Sequence, residues 1–213
     1  PGFPSFNLNI AVDELFKKEF DHFREQQAPH PVMQNYKIDA VPFRHQNMDE
    51  WRDTFAGIAH RHEPTGLTVC GGVDDIWLHK SGELIIVDYK ATSKDGSLTE
   101  LSDSPWDQQY KRQLGVYGWL LEQNGFTVEE TGYLVYANAS KDEPGFDNTL
   151  VFETTLVPVT LETDWIEPTL ENIKICLEDA HFPAPGPVCE YCPYREAAGK
   201  KLLAIHQAHK NGG

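Results

Sequence analysis

Positive charge is scarce in this chain. Eighteen lysines and arginines face thirty-three acids among 213 residues, a formal net charge of −15. No overall field draws in a polyanion, so nucleic-acid binding has to rest on a local basic strip and on metal ions. Long apolar runs are missing too. Nothing approaches the ~18 apolar residues of a membrane helix; the longest stretches are residues 84–87 and the interrupted 114–121. Cysteine is rare: Cys70, Cys176, Cys189 and Cys192 are too few and too unevenly spaced for a disulfide framework, and only Cys189-x-x-Cys192 has ligand-like spacing. There is no internal repeat, low-complexity tract or visible signal peptide, although the chain opens on Pro1 rather than Met, which leaves room for residues upstream. These absences exclude a membrane protein, a collagen-like chain and a disulfide-dense mini-protein, and a cytoplasmic location is the expectation.

What is present suffices for one sizeable α/β core: 40% of residues are hydrophobic and 11% aromatic. A single domain over residues 1–213 is expected. Its N-terminal third is irregular, broken by Pro29, Pro31 and Pro42, and a tail from about residue 183 begins with Pro183, Pro185 and Pro187.

Periodicity supplies the elements. Residues 11–24 carry Leu15, Phe16, Phe20 and Phe23 at helical spacing, with Lys17, Lys18, Glu19 and Arg24 on the other side. Residues 49–60 suggest a shorter helix. Residues 69–79 and 84–91 read as a hairpin around Lys80-Ser81-Gly82. A three-residue loop with Gly82 in the left-handed region sets Asp74 opposite Asp88, whereas a two-residue Ser81-Gly82 loop sets Asp75 there. The second strand is apolar on both faces, as a central strand is. Ser104 is the N-cap of the next helix, with Pro105 at its first position, Asp107 three residues after the cap and Asn124-Gly125 at its stop. Strands over 132–137 and 150–158 and a helix over 164–179 complete a mixed sheet flanked by helices.

Chemistry concentrates on the hairpin. Residues two apart on a strand share a face, so Asp88 and Lys90 project together from an apolar strand. Burying them is costly unless they are paired or metal-bound. A second carboxylate across the hairpin makes an oxygen set suited to Mg²⁺ or Mn²⁺, with the Lys90 ammonium free to orient water or steady a phosphate. A plain ion pair on an edge strand is the simpler alternative. Gln113 and Tyr117 lie four apart on the following helix and point the same way, which packing alone also explains.

Gly71-x-x-Asp74, Asp88-x-Lys90 and Gln113-x-x-x-Tyr117, in this order, resemble the PD-(D/E)xK nuclease superfamily, and within it the RecB-like branch that includes the iron–sulfur nucleases of CRISPR adaptation. The likeness covers about residues 10 to 195. It implies a restriction-endonuclease-like α/β fold with a mixed central sheet. It further implies metal held by Asp74, Asp88 and the backbone carbonyl of Tyr89, a catalytic Lys90, and Gln113 and Tyr117 at the edge of the active site. The implied activity is metal-dependent hydrolysis of DNA. Two departures stand out. Where the branch has a metal-binding His on its first helix, this chain has Asp13, a possible third ligand or a first-turn acid favoured by the helix dipole. Of the branch's four cluster cysteines only Cys189 and Cys192 are matched, the next falling around Ala197 and Ala198, so zinc or an iron–sulfur cluster requires cysteines upstream of residue 1.

Other features read more plainly. His60-Arg61-His62 are solvated residues of a turn before Pro64, and Cys70 is a small buried residue. Lys94, Lys111, Arg112, Arg195, Lys200 and Lys201 are the basic candidates for substrate contact, with Lys111 and Arg112 favoured by their position beside Gln113. DNA is the expected partner and no membrane is expected. The acidic balance keeps one alternative in view, a catalytically inactive nuclease-like module that docks a protein partner or nucleic acid.

Overall fold

The computed structural model describes residues 7–96, 98–187, 189 and 191–211. The chain divides into two compact units at residue 171/172. In order, the elements are α1 (Asn7–Gln26), α2 (Pro31–Asn35), β1 (Ala40–Pro42), α3 (Met48–Arg52), β2 (Ile58–His62), β3 (Leu67–Gly71), β4 (Asp75–His79), β5 (Leu84–Thr92), α4 (Pro105–Gln123), β6 (Thr131–Ala139), β7 (Phe152–Thr160), α5 (Ile166–Glu178) and α6 (Tyr191–Asn211).

Five strands form one mixed sheet, ordered β1-β4-β5-β6-β7, and β2 and β3 form a separate pair. The β4–β5 and β6–β7 neighbours are antiparallel. β5 and β6 are parallel, and α4 supplies the long crossover that parallel neighbours need. The central position of β5 explains its apolar residues on both faces. Ile85, Val87 and Tyr89 join Phe16, Phe20, Met33 and Trp77 beneath α1 and α2. Leu84 and Ile86 join Leu114, Leu120, Leu121 and Leu134 beneath α4. The result is a helix–sheet–helix sandwich, the restriction-endonuclease-like arrangement.

The hairpin loop takes the longer form. His79 N donates to Glu83 O at 2.9 Å, Gly82 has φ +95°, and the ladder pairs Asp75 with Val87. The same register, continued one pair, sets Asp74 opposite Asp88. The α4 cap is as expected: Ser104 Oγ accepts from Asp107 N at 3.2 Å, and Gly125 follows the stop with φ +87°.

Several expectations are corrected. The expected helix over 49–60 stops at Arg52, and Ile58–His62 is a strand whose partner is Leu67–Gly71. That pairing also splits the expected strand over 69–79. Gly71 and Gly72 make the break: a Cβ on Gly71 would lie 2.8 Å from Tyr117 Cε1, and one on Gly72 2.9 Å from Asp53 O. His62 is buried, not solvated, held by Thr65 at 2.8 Å and Glu167 at 2.5 Å. Cys70 is exposed on β3, where alternation turns it outward. On α1, Leu15 is exposed, whereas Lys17 is half-buried and Arg24 buried. The second unit contains α6, which the proline-rich approach to it did not announce.

Candidate active site

The register decides which aspartate faces which way. Asp75, paired with Val87, points toward α1 and is fully buried. Its charge is surrounded. Oδ1 meets the guanidinium groups of Arg24 and, at 3.2 Å, Arg52, and accepts from Ile76 N at 2.8 Å; Oδ2 accepts from Tyr89 OH at 2.7 Å. Asp21 pairs with both arginines. This network ties α1, α3, β4 and β5 together and leaves none of Asp75's oxygens free.

Asp74, one residue earlier, points the other way. It lines a cavity of about 420 Å³ together with Asp13, Asp88, Tyr89, Lys90, Gln113 and Tyr117, every residue that the sequence nominated for metal binding or catalysis outside the Cys189–Cys192 pair. Asn9, Ile10, Val12, Thr54, Gly72, Ala91 and Tyr110 complete the wall. Asp74 Oδ2 accepts from Tyr89 N at 2.9 Å, so the strand backbone orients the carboxylate. The Tyr89 ring itself is buried on the opposite face, stacked on Phe16 at 5.0 Å. Gln113 Nε2 donates to Tyr117 OH at 2.8 Å across one helical turn.

Electrostatics mark Asp88. Burial first, then the nearby charge of Asp74, push its carboxyl up to about 7, against the opposing pull of Lys90. The Lys90 ammonium pairs with Asp88 Oδ2 and sits 4.7 Å over the Tyr110 ring. Among the described residues, Asp13 Oδ1 is a buried oxygen of this cavity without a hydrogen-bond partner, and Asp88 Oδ2 has the Lys90 ammonium as its contact. Burial and Asp74 likewise raise Asp13. Carboxylates gathered in one cavity, one of them with an unpartnered buried oxygen, are the oxygen donors that a hard divalent cation takes, so the residues fit such an ion.

Lys17 is the residue that sequence reading missed. Its ammonium reaches Asp13 Oδ2 at 2.8 Å and Asp74 Oδ1 at 3.2 Å. Burial works to lower it, but Asp74 and Asp13 outweigh burial and hold its pKa above the usual lysine value. The available signal was its spacing, one turn after Asp13.

The basic candidates stand outside the cavity. Lys111 is half-exposed and 3.7 Å from Asp103, and Arg112 is exposed; they flank Tyr110 and Gln113 on α4. Lys94 is exposed, its backbone fixed to Asn138. Cys189 and Cys192 lie in the second unit, their sulfurs 3.1 Å apart in a thiol–thiol hydrogen bond that lowers Cys189 and raises Cys192. Two thiols are half of a tetrahedral site.

Two further features compete for attention. A larger cavity of about 650 Å³ beside β1 is lined by Lys37, Asp39, His79 and Lys80, and its acid Asp39 is exposed and paired with Lys80. At the hairpin tip, ligand atoms of His79, Glu83 and Glu129 lie within 4.8 Å of one another and could hold a metal ion. Ser81 and His79 already satisfy those carboxylates: Ser81 Oγ donates to Glu83 at 2.8 Å, and His79 meets Glu129 at 2.9 Å. Neither feature has an orphaned buried oxygen.

The mixed sheet with two acids and a lysine at one end defines a nuclease-like α/β domain. The sequence profile of the PD-(D/E)XK nuclease superfamily matches residues 8–197, and the chain belongs to that superfamily. Its members generally use divalent metal ions, and some are inactive. No curated protein matches the chain. Among solved structures, the crystal structure of SSO0001 shares 20% identity with a TM-score of 0.30, the match covering 53% of this chain and 43% of that one. Among the described residues no helix is long and apolar enough to cross a membrane.

Proposed function

We propose that this chain is a metal-dependent nuclease that hydrolyses DNA phosphodiester bonds, of a kind serving repair, recombination or defence. The observation that carries the reading is Asp88: a buried carboxylate that shares a cavity with a second carboxylate, Asp74, and has the Lys90 ammonium beside it. Asp74, Asp88 and the Tyr89 carbonyl would hold Mg²⁺ or Mn²⁺, with Asp13 as a further candidate ligand. Such an ion supplies Lewis acidity and neutralises charge at the phosphodiester.

The chain's own groups do the rest. Asp74, fixed by Tyr89 N–H, and Asp88 orient the reacting centre. Lys90 steadies negative charge developing on the phosphate and orients the attacking water; as its oxygen bonds to phosphorus the water gives up a proton to solvent, and the P–O bond opposite breaks, its oxygen leaving as a hydroxyl protonated from solvent. The Gln113–Tyr117 pair presents a hydroxyl and an amide at the rim, positioned to hold substrate against the strand. Lys111 and Arg112 guide the phosphate backbone toward it. The same Gln113 and Tyr117 spacing supports assignment to the RecB-like branch.

The test pairs Mn²⁺ binding in solution with cleavage of single- and double-stranded DNA by wild type and Lys90→Ala. Cleavage by wild type, with Lys90→Ala slowed about 100-fold or more and still binding Mn²⁺, supports the proposal. Weak metal binding with both proteins inert on every substrate favours a non-catalytic module instead, the reading to which the net charge of −15 lends weight.

A further inference from the structure

Three acids, Asp13, Asp74 and Asp88, line the cavity, and two ammonium groups contact them in different ways. Lys90, on the same strand as Asp88, pairs with it. Lys17 reaches in from α1 and bridges the other two, 2.8 Å from Asp13 and 3.2 Å from Asp74. It is no surface bridge, since only 23% of its side chain is exposed, against 28% for Asp13 and 22% for Asp74. Among the described residues, the trio whose ligand atoms all lie within 4.8 Å is the one at the hairpin tip. Asp13 does not join Asp74 and Asp88 at that spacing. The ammonium of Lys17 stands in the gap.

Resting on the metal-dependent reading above, we infer that Lys17 is a resident counter-cation that holds Asp13 and Asp74 until a divalent ion displaces it, and so sets the metal affinity of the site. The partners of Asp74 favour this exchange. One Asp74 oxygen is engaged by Tyr89 N–H and the other by Lys17. A divalent ion sits about 2.1 Å from a carboxylate oxygen, which brings it within a few ångströms of the ammonium, and like charges in a half-desolvated pocket repel strongly. A lysine on a four-carbon stem can withdraw to solvent at little cost. Asp13 adds a third negative charge to the cavity, and Lys17, one turn further along α1, offsets it until metal arrives.

The test is Mn²⁺ affinity measured by calorimetry on the full chain, without substrate, together with thermal melting in the absence of metal. Lys17→Met removes the charge and keeps the stem: Mn²⁺ binding is expected to tighten about tenfold, and the metal-free protein to melt at lower temperature. Lys17→Arg keeps a permanent cation with a fork suited to two carboxylates, so Mn²⁺ binding is expected to weaken several-fold, with folding preserved. Unchanged or weaker binding in Lys17→Met, or unchanged or tighter binding in Lys17→Arg, overturns the inference while leaving the metal site standing. Absence of Mn²⁺ binding in wild type and both variants overturns the inference and the nuclease reading together.

Discussion

Asp74 and Asp75 are neighbours in sequence with opposite assignments. Strand alternation sends one into the cavity and the other into an arginine cage, and the two respond differently to the same chemical change. Asp75→Asn leaves Arg24 and Arg52 short of a buried partner and is expected to cost about 3–5 kcal/mol of stability. Asp74→Asn, at the cavity wall, is expected to change stability by less than about 1 kcal/mol while abolishing Mn²⁺ binding. Urea titration alongside calorimetry separates them; equal losses would contradict the assignment. Asp88 supplies a pH dependence. Its folded pKa of about 7 lies above the ordinary 3.8, so the metal-free fold binds the proton more tightly than the unfolded chain. The stability this contributes is full below about pH 4 and is lost as pH rises through 7. A metal ion requires the deprotonated form, so Mn²⁺ affinity should fall about tenfold per pH unit below 7 and level off above it. Titrations at pH 5.5 and 8 check the slope, and a flat profile counts against Asp88 as a ligand.

At the scale of elements, what was legible was local. The Gly82 loop, the Ser104–Pro105 helix start and the doubly apolar β5 each carry their instruction within a few residues, and the structure follows them. The choice between Asp74 and Asp75 stayed open in sequence because it turns on one residue of loop length. Ile58–His62 was not legible, since its inward positions after Ile58 are His60 and His62, so hydrophobicity does not show the alternation that its pairing with Leu67–Gly71 produces. Lys17 and Arg24 looked like solvent-face residues of an amphipathic helix because periodicity records hydrophobicity, and a helix can bury a charge only where another element supplies its partner. Gly71 tests how far β3 shapes the site. Gly71→Ala places a methyl 2.8 Å from the Tyr117 ring. It should destabilise the protein by about 1–3 kcal/mol and displace the Gln113–Tyr117 pair; melting measurements showing no change would mean that the helix yields freely. Ser104→Ala removes the α4 cap and is expected to cost about 1 kcal/mol.

The molecule as a whole is a poor magnet for DNA. With a net charge of −15, the proposed binding of DNA would depend on Lys94, Lys111, Arg112 and a cation in the cavity. Three side chains near the site correspond to a slope of log affinity against log salt of about −2 to −3. Fluorescence titrations between 50 and 200 mM salt (roughly the range over which counterion release is read) measure it, and a slope steeper than about −6 would point to a basic surface elsewhere. The superfamily assignment fits that economy: the fold brings acids and a lysine to the end of a central sheet, where a bound cation would supply what the protein's own charge does not.

Everything at the three scales converges on the space between Asp74 and Asp88. Crystals grown with Mn²⁺ and measured for anomalous scattering address it directly. The account predicts a peak bridging Asp74 and Asp88, with the Lys17 ammonium moved away from Asp74. A peak confined to His79, Glu83 and Glu129 at the hairpin tip, or none at either place, would contradict it.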